Sequence, residues 1–504
     1  MTDRGIVGRS GSAVLILAVV LCALIAGCMP GGVIARAHKP PSSGVGQRKS
    51  PAGSRPNIVF VLTDDLSTDL LRFMPNVRSM GAAGSTFTQH FVVDSLCCPS
   101  RAAIFTGEYP HDNGVFTNTG GDGGFAAYVQ HGNEQKSFAM ALQQSGYRTG
   151  FMGKYLNGYR PTNGPAPGWD QWYGVGNGYA EYNYRMNENG KVIKHGHRPQ
   201  DYLTDVLSRK AVGFIDNAAR DDQPFMLQIS TFAPHQPNTP APRYANRFAT
   251  LKAPHSKSYN KLPAHAATWL REFPALTRQN GKHIDEVYRQ RARAVLAVDD
   301  LVAQVRTELK RQGIARNTYL VFTSDNGYHA GQHRLLVGKQ TAFDTDIRVP
   351  LLVTGPGVPQ GRTVNALTTS IDFCPTFEEI AGARGGGLVD GVSMLRLWHG
   401  HRPANWQKAV LIEHHGGPMD TRDPDYQSSQ HGNPPTYSAI RTTRSLYVEY
   451  VDGEREYYDR SKDPYELNNL AGSVPAARLA PLKKALTGLK NCHSTKACQR
   501  AARM

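Results

Sequence analysis

The chain has 504 residues and a formal net charge of +16 at pH 7. This length allows one large α/β domain with an appendage and a sizeable buried core. The excess of Lys and Arg is scattered and no recognisable nucleic-acid-binding module accompanies it, so it favours anionic small molecules or glycans as partners and predicts no nucleic acid.

The first 28 residues are typical of an export signal. Arg4 and Arg9 precede an apolar stretch from Ala13 to Ile25, which is shorter than the ~20 residues that a stable membrane-spanning helix needs. A signal peptide therefore explains the stretch better than a retained membrane anchor. It ends in Ile-Ala-Gly-Cys, which resembles the lipobox of bacterial lipoproteins and predicts lipidation of Cys28; ordinary signal cleavage nearby is the alternative.

Residues 29–55 are rich in Pro, Gly, Ser and basic side chains and lack apolar periodicity. This composition predicts a flexible linker between the membrane and a folded domain. We therefore expect an exported protein that is either anchored at the cell surface through Cys28 or secreted.

Apolar runs alternate with helical patterns along the rest of the chain. A continuous β-rich apolar run predicts a strand that is buried on both faces of a parallel sheet. Strands that alternate with helices predict an α/β fold with a mostly parallel sheet flanked by helices. The predicted strands are residues 56–63, 224–231, 317–325 and 349–357, and the predicted helices are residues 137–146 and 286–312.

Polar residues end or follow three of these strands: Asp64 and Asp65, then His235, then Asp325 and Asn326. Each alone is more typical of a turn, a helix cap or a structural histidine. Ligands of parallel α/β sheets bind beyond the carboxyl ends of the strands, so the residues are expected to meet there. Together they indicate a site of hard oxygen ligands that suits Ca²⁺ or Mg²⁺ rather than zinc.

The cysteines divide by position. Cys492 and Cys498 lie close together near the end of the chain and predict a local disulfide in an oxidising compartment. Cys374 lies between apolar residues and is expected to be a small buried side chain. The adjacent pair Cys97 and Cys98 fits neither a disulfide nor a metal knuckle.

The run Cys97-Cys98-Pro99-Ser100-Arg101, followed by Thr106-Gly107, resembles the Cys-x-Pro-Ser-Arg signature of the type I, formylglycine-dependent sulfatases. The stretch from Gly146 to Leu156 resembles their second signature. The similarity spans residues 56–472 and looks closest to N-acetylglucosamine-6-sulfatases, related heparan-type sulfatases and arylsulfatase-like members. It also rests on the Asp pair at 64, APHQP around His235, SDNG at 325, GK at 338, DIRVP at 346 and a closing YYDRSKDPYELNNL.

The resemblance implies an alkaline-phosphatase-like sandwich for the catalytic domain, residues 56–404. Residues 405–504 alternate between apolar and polar positions, with turn residues between the runs. They predict a C-terminal subdomain with a small antiparallel sheet and a terminal helix from Ala476 to Leu489.

The resemblance also implies that a formylglycine-generating enzyme converts Cys97, with Pro99 and Arg101 as its recognition element. One hydroxyl of the hydrated aldehyde would attack sulfur, and the other would expel sulfate by collapse to the aldehyde. Arg101 would hold this group, Lys154 and Lys339 would neutralise sulfate oxygens, and His235 would protonate the leaving oxygen.

The implied metal ligands are Asp64, Asp65, residue 97, Asp325 and Asn326. The family prefers Ca²⁺, and Mg²⁺ fits the same oxygen donors. The bound ion would polarise a sulfate oxygen and lower the pKa of the attacking hydroxyl.

Three features are ambiguous or depart from the pattern of many arylsulfatases. The histidine that often follows the lysine of the second signature is missing, which leaves Asn157 or His329 as substitutes. We expect His329 to face the substrate mouth, with a structural loop role as the alternative. The glycine-rich residues 118–125 predict a flexible loop without the Lys-Ser/Thr ending of a P-loop.

Three functions therefore remain at this stage. The first is hydrolysis of O-sulfate esters of a sulfated sugar, a glycan or an aryl alcohol. The second is hydrolysis of phosphate or phosphonate esters, because phosphonate hydrolases can keep the same signature. The third is a lipid-tethered protein that only binds sulfated glycans, and the convertible Cys97 argues against it.

Overall fold

The computed structural model describes residues 55–504 apart from 222, 384, 386, 418, 419 and 422. The signal peptide, the lipobox with Cys28 and nearly all of the linker lie outside the described residues, so these remain predictions. Within the described part, no helix has the length and apolar character needed to cross a membrane.

The strands alternate with helices in the first two thirds of the chain. The strands are β1 (Asn57–Thr63), β2 (Ser85–Phe87), β3 (His90–Phe91), β4 (Arg148–Lys154), β5 (Gln171–Val175), β6 (Arg185–Glu188), β7 (Lys191–Lys194), β8 (Phe225–Ser230), β9 (Thr318–Ser324), β10 (His329–Ala330), β11 (Val337–Gly338), β12 (Leu351–Thr354), β13 (Arg362–Val364), β14 (Thr368–Thr369), β15 (Ala409–His414), β16 (Tyr437–Thr442), β17 (Ser445–Tyr450) and β18 (Arg455–Asp459).

The α-helices range from single turns to one long helix. They are α1 (Pro75–Ala83), α2 (Cys97–Thr106), α3 (Pro110–Asn113), α4 (Gly124–Gln130), α5 (Asn133–Lys136), α6 (Phe138–Gln144), α7 (Leu203–Ala218), α8 (Thr268–Arg271), α9 (Arg278–Arg311), α10 (Asp344–Ile347), α11 (Phe373–Ala381), α12 (Leu395–Trp398), α13 (Ser429–Gly432), α14 (Ala476–Lys490) and α15 (Thr495–Ala501).

One large sheet forms the centre of the catalytic part, with the strand order β13-β2-β12-β9-β1-β8-β4-β5-β6-β7. The run from β9 to β5 is parallel, whereas β12, β6 and β7 add antiparallel pairs. Strands β1, β8 and β9 are buried along their whole length, which explains their continuous apolar sequences. The predicted mostly parallel α/β sheet is confirmed.

Helices cover both faces of this sheet. Side chains of α1, α7 and α9 share one buried apolar cluster with one sheet face, and those of α2, α6 and α11 share another with the opposite face. Helix α9 begins earlier than the sequence pattern predicted. The reason is an N-terminal cap, in which the side chain of Thr277 accepts a hydrogen bond from Asn280 N at 3.1 Å, a device that satisfies a free backbone donor.

The C-terminal strands β15 to β18 form the predicted antiparallel sheet, and α14 packs against it. The predicted disulfide between Cys492 and Cys498 is present, and Cys374 is fully buried as expected. A hydrogen bond from Glu413 N to Val93 O, 2.8 Å, joins β15 to the segment that precedes α2. The C-terminal sheet therefore lies next to the element that begins with Cys97.

Candidate active site

The site lies beyond the carboxyl ends of the central strands, where parallel α/β sheets hold their ligands. Thr63 pairs with Ser324 in the register of β1 and β9, so the Asp64-Asp65 and Asp325-Asn326 pairs start side by side. The backbone amide of Asp65 donates to Asp325 Oδ1 at 3.1 Å. The predicted convergence of these strand ends is present.

Neighbouring strands bring the other predicted residues to the same edge. Lys154 is the last residue of β4, and His235 lies in the loop that follows β8. Lys339 directly follows β11. All three side chains are buried.

Cys97 is the first residue of α2 and is completely buried. Its Sγ lies 3.1 Å from Asp64 Oδ1 and 2.7 Å from Lys339 Nζ. The pKa of the thiol is raised well above its usual range, mainly by burial and further by the charges of Asp425 and Asp64. An unmodified thiol in this position is therefore a poor nucleophile.

Arg101 lies one helical turn after Cys97 and holds two strand ends together. Its Nε is 2.7 Å from Asp325 Oδ2, and another guanidinium nitrogen donates to Lys154 O at 2.8 Å. Ser100 Oγ donates to the backbone carbonyl of Asp325 at 2.5 Å. The signature thus fixes α2 against β4 and the loop after β9, and Ser100 is a structural residue of this contact.

Buried cations balance the buried carboxylates. Lys154 Nζ lies 2.6 Å from Asp64 Oδ2, and Lys339 Nζ lies 2.6 Å from Asp65 Oδ1. Burial works against the charged form of each lysine, but the nearby carboxylates outweigh it and raise both lysine pKa values well above the usual range. Burial, reinforced by the charge of Asp64, raises the pKa of Asp325 despite the opposing charge of Arg101.

The carboxylate and amide oxygens present fit a hard divalent cation, and residue 97 would join them once its thiol is converted to an oxygen-bearing group. The ligand atoms of Asp64, Asp65, Cys97 and His235 lie within 4.8 Å of one another. Asn326 donates to Asp65 Oδ1 at 2.7 Å, and its buried Oδ1 has no hydrogen-bond partner among the described residues. An orphaned amide oxygen beside carboxylates is a donor set that suits Ca²⁺ or Mg²⁺.

The structure differs in detail from the predicted ligand set. His235, which was not in the predicted ligand set, lies beside one of its carboxylates, with its Nε2 3.7 Å from Asp65 Oδ2. Both carboxylate oxygens of Asp325 already accept hydrogen bonds, one from Arg101 Nε and the other from Asp65 N. The metal role of each predicted residue stays a prediction.

Sequence reasoning missed Asp425, a buried residue from the C-terminal part of the chain. Its Oδ1 lies 2.6 Å from both His235 Nε2 and Lys339 Nζ. Its Oδ2 accepts from Asn118 Nδ2 at 2.8 Å and from Asn157 Nδ2 at 3.0 Å. We call these four donor residues the anion cradle.

No sequence signal pointed to Asp425, because it follows a Pro in a polar loop without periodicity. Asn118 was missed as well, although it begins the glycine-rich stretch of residues 118–125. Asn157, proposed as a substitute for the missing histidine, does reach the site. Burial by itself raises the pKa of Asp425. The positive charges of Lys339 and His235 lower this pKa by more, so the net pKa lies well below the usual range.

His329 does not face the substrate mouth. It is completely buried, and its Nδ1 lies 2.9 Å from Asp346 Oδ2. Asp346 also accepts from the backbone and hydroxyl of Thr341. The structure thus favours the alternative of a structural loop histidine, because the side chain supports the loop that carries Lys339 instead of lining an opening.

The sequence pattern of the sulfatase family matches residues 56–383. The chain belongs to the sulfatase family. A second pattern, described as the C-terminal part of N-sulphoglucosamine sulphohydrolase, matches residues 331–491 of this sulfatase. The family resemblance and the catalytic class predicted from the signatures are confirmed, so this sulfatase is a sulfuric ester hydrolase.

Curated relatives agree with this assignment. N-acetylglucosamine-6-sulfatase of Capra hircus is 36% identical over 472 residues, which cover 87% of this chain and 84% of the relative. N-acetylglucosamine-6-O-sulfatase of Bacteroides thetaiotaomicron is 26% identical over 500 residues, which cover 84% of each chain.

Solved structures confirm the alkaline-phosphatase-like fold of this sulfatase. The structure of BT4656 in complex with its substrate D-glucosamine-2-N,6-O-disulfate has a TM-score of 0.72 at 25% identity and covers 89% of this chain and 98% of its own. A phosphonate monoester hydrolase from Silicibacter pomeroyi has a TM-score of 0.67 at 21% identity over 87% and 96%, a likeness in fold alone.

The buried carboxylates predict that a divalent cation stabilises the folded protein. Adding Ca²⁺ or Mg²⁺ at about 100 times its Kd to chelator-treated sulfatase is expected to stabilise it by about 2.7 kcal/mol, measured as a rise in Tm. The Asp325→Asn variant removes one charge from the cluster and is expected to weaken cation binding by at least the roughly 10- to 100-fold that loss of an outer-shell partner costs.

The matched control is Asp221→Asn, because Asp221 is exposed and pairs with Arg148 away from the site. This variant is expected to keep the cation response of the parent. Equal responses of the parent and Asp325→Asn in calorimetric titrations would contradict the predicted cation site.

Proposed function

We propose that the sulfatase removes an O-sulfate group from a sulfated amino sugar at the anion cradle. The observation that carries this proposal is a buried pocket that holds a single carboxylate through four donors, with one carboxylate oxygen 3.8 Å from Cys97 Sγ. A sulfate group offers the same acceptor-only oxygens. The amino-sugar part of the proposal is supported by the relatives whose names specify N-acetylglucosamine 6-sulfate chemistry.

Residue 97 would act as formylglycine, made from Cys97 by a formylglycine-generating enzyme before folding buries it. Once hydrated, this group supplies a hydroxyl nucleophile, which the buried thiol cannot provide. Arg101 would keep residue 97 in place through its contacts with Asp325 and Lys154.

Lys339 and Lys154 would stabilise the negative charge of the reacting sulfate. Both ammonium groups lie at a buried site, where fixed charges act more strongly than in water. Lys339 already contacts the Asp425 carboxylate and Cys97 Sγ. Lys154 lies on the other side of Asp64 and 5.0 Å from the ring centroid of Tyr179.

His235 would donate a proton to the leaving oxygen. Its Nδ1 faces Gln236 O at 2.7 Å, which assigns a hydrogen to Nδ1, and its Nε2 points into the cradle. Although burial lowers the pKa of His235, the charges of Asp425 and Asp65 raise it more, so the net pKa lies above its usual value. The imidazolium form therefore has a proton to give from Nε2.

We further propose Ca²⁺ as the resident ion, with Mg²⁺ as the alternative, held by Asp64, Asp65, residue 97, Asp325 and Asn326. When bound, the ion supplies polarisation of a sulfate oxygen. The hard oxygen donors and the orphaned Asn326 Oδ1 support this assignment.

The proposed location is outside the cytoplasm, with lipidated Cys28 as an anchor or with release after cleavage. The arguments are the signal-like N-terminus and the disulfide between Cys492 and Cys498, because disulfides persist in oxidising compartments.

Conversion of Cys97 and the preference for sulfate can be tested together. Protein produced with a formylglycine-generating enzyme is expected to show a loss of mass at Cys97 in peptide mass spectrometry. It is expected to hydrolyse N-acetylglucosamine 6-sulfate, and Cys97→Ala is expected to lose this activity. Faster turnover of phosphate or phosphonate esters than of sulfate esters would instead favour the second function.

The role of His235 predicts a dependence on the leaving group. His235→Ala is expected to lower kcat by about 10²- to 10⁴-fold for the sugar sulfate, whose alkoxide needs a proton. The loss is expected to be much smaller for an aryl sulfate with an acidic phenol. His197→Ala, which changes an exposed histidine, is the matched control, and equal losses for both substrates would contradict a proton-donor role.

A further inference from the structure

The reactive centre is closed to solvent in this structure. Cys97 is 0% exposed, Lys339 is 1% exposed, and Lys154 and His235 are each 2% exposed. A sugar sulfate cannot reach residue 97 unless some segment moves. The central strands and α2 are fixed by the sheet and by Arg101. The segment that moves is therefore expected to be one that covers the site from outside the sheet.

The covering segment is Asp423–Ser428, which lies between β15 and α13 and which we call the strap. Its Asp425 fills the anion cradle. Beside it, Pro424 O accepts a hydrogen bond from Gln236 Nε2, and the Gln427 side chain accepts from Lys339 N at 3.2 Å. The strap is therefore held by the same residues that form the cradle, or by their direct neighbours.

The bound carboxylate uses the donors that a sulfate needs. One oxygen of the Asp425 carboxylate pairs with His235 and Lys339, and the other accepts hydrogen bonds from Asn118 and Asn157. A sulfate bound while Asp425 remained would find these donors occupied. It would also meet a like charge in a buried site, where repulsion is strong. The carboxylate and the sulfate thus compete for one place.

Two clefts are each lined in part by residues of the strap. One has a volume of about 460 Å³ and is lined by Asn118, Asp122, His415 and Asp423 among others. The other, about 370 Å³, is lined by Asp65, Gln236, Asp425 and Tyr426 among others. Both clefts reach residues of the site and have strap residues in their lining, so outward movement of the strap would open both towards the anion cradle.

We propose that Asp425 is an internal competitor of the substrate: its carboxylate fills the anion cradle in the resting enzyme, and the sulfate group displaces it with the strap. This inference rests on the proposed function, because it takes the cradle to be the sulfate site. Asn118 and Asn157 thereby become sulfate-binding residues. A substrate has to gain enough contact in the two clefts to move the strap, which selects sulfated sugars over small sulfate esters and free sulfate.

The test compares Asp425→Ala and Asp425→Asn with the parent enzyme, each confirmed to carry formylglycine. Loss of the competing charged hydrogen bonds is expected to lower KM for N-acetylglucosamine 6-sulfate by about 10- to 100-fold. The inhibition constant of inorganic sulfate is expected to fall by a similar factor. Asp452→Asn removes the same charge from an exposed hairpin and is expected to change neither constant.

Binding measured without catalysis separates this inference from the proposed function. Calorimetry with inorganic sulfate is expected to show tighter binding by Cys97→Ala/Asp425→Ala than by Cys97→Ala. If no protein hydrolyses a sulfate ester but the double variant still binds sulfate more tightly, the proposed function fails and the competitor role stands.

The competitor role is overturned if the Asp425 variants melt like the parent yet show a raised KM for the sugar sulfate and no gain in sulfate affinity. Asp425 would then be a residue that positions the substrate. Asp425→Asn keeps the side-chain volume, so it preserves the test if Asp425→Ala fails to fold.

Discussion

The structure depends on a balance of buried charges at one edge of the sheet. Asp64, Asp65 and Asp325 cannot remain ionised together in a dry site without cations, and Arg101, Lys154 and Lys339 lie within hydrogen-bonding distance of them. Breaking such a buried set by removing one partner costs about 3–5 kcal/mol. The same charges that keep the site folded are those that would bind and polarise a sulfate group. The same residues are therefore needed for both stability and catalysis. The register of the strands in the large sheet brings these residues together.

Two layers of support hold this charge balance in place. The buried strands β1, β8 and β9 fix the carboxylates and the His235 loop by backbone pairing, while α2 carries residue 97 and Arg101 on successive turns. The C-terminal part of the chain also borders the site, through β15 and the strap. The strap lies in a loop outside the large sheet, so the outward movement that the competitor role of Asp425 requires would leave the pairing of the parallel strands unchanged.

The sequence predicted the parts of the site that depend on local pattern. Apolar runs located β1, β8, β9 and β12, and the rule on strand ends placed the acidic pairs at one edge. Contacts between distant segments were not predictable: Asp425 lies 328 positions from Cys97, and no periodicity marks its loop. His329 was misjudged for a related reason, since its partner Asp346 is defined by how the loop around Lys339 folds back. The place of such side chains depends on burial and on partners that are distant in sequence, and local sequence patterns do not reveal those partners.

The measurement that tests the account most directly is a crystal structure of the metal-loaded Cys97→Ala variant with N-acetylglucosamine 6-sulfate. We predict a sulfate group that accepts hydrogen bonds from Asn118, Asn157, His235 and Lys339, next to residue 97, with the Asp425 carboxylate outside the cradle. A sulfate bound elsewhere, or a sugar bound in the clefts while Asp425 keeps all four donors, would contradict the assignment of the cradle as the site of sulfate ester hydrolysis.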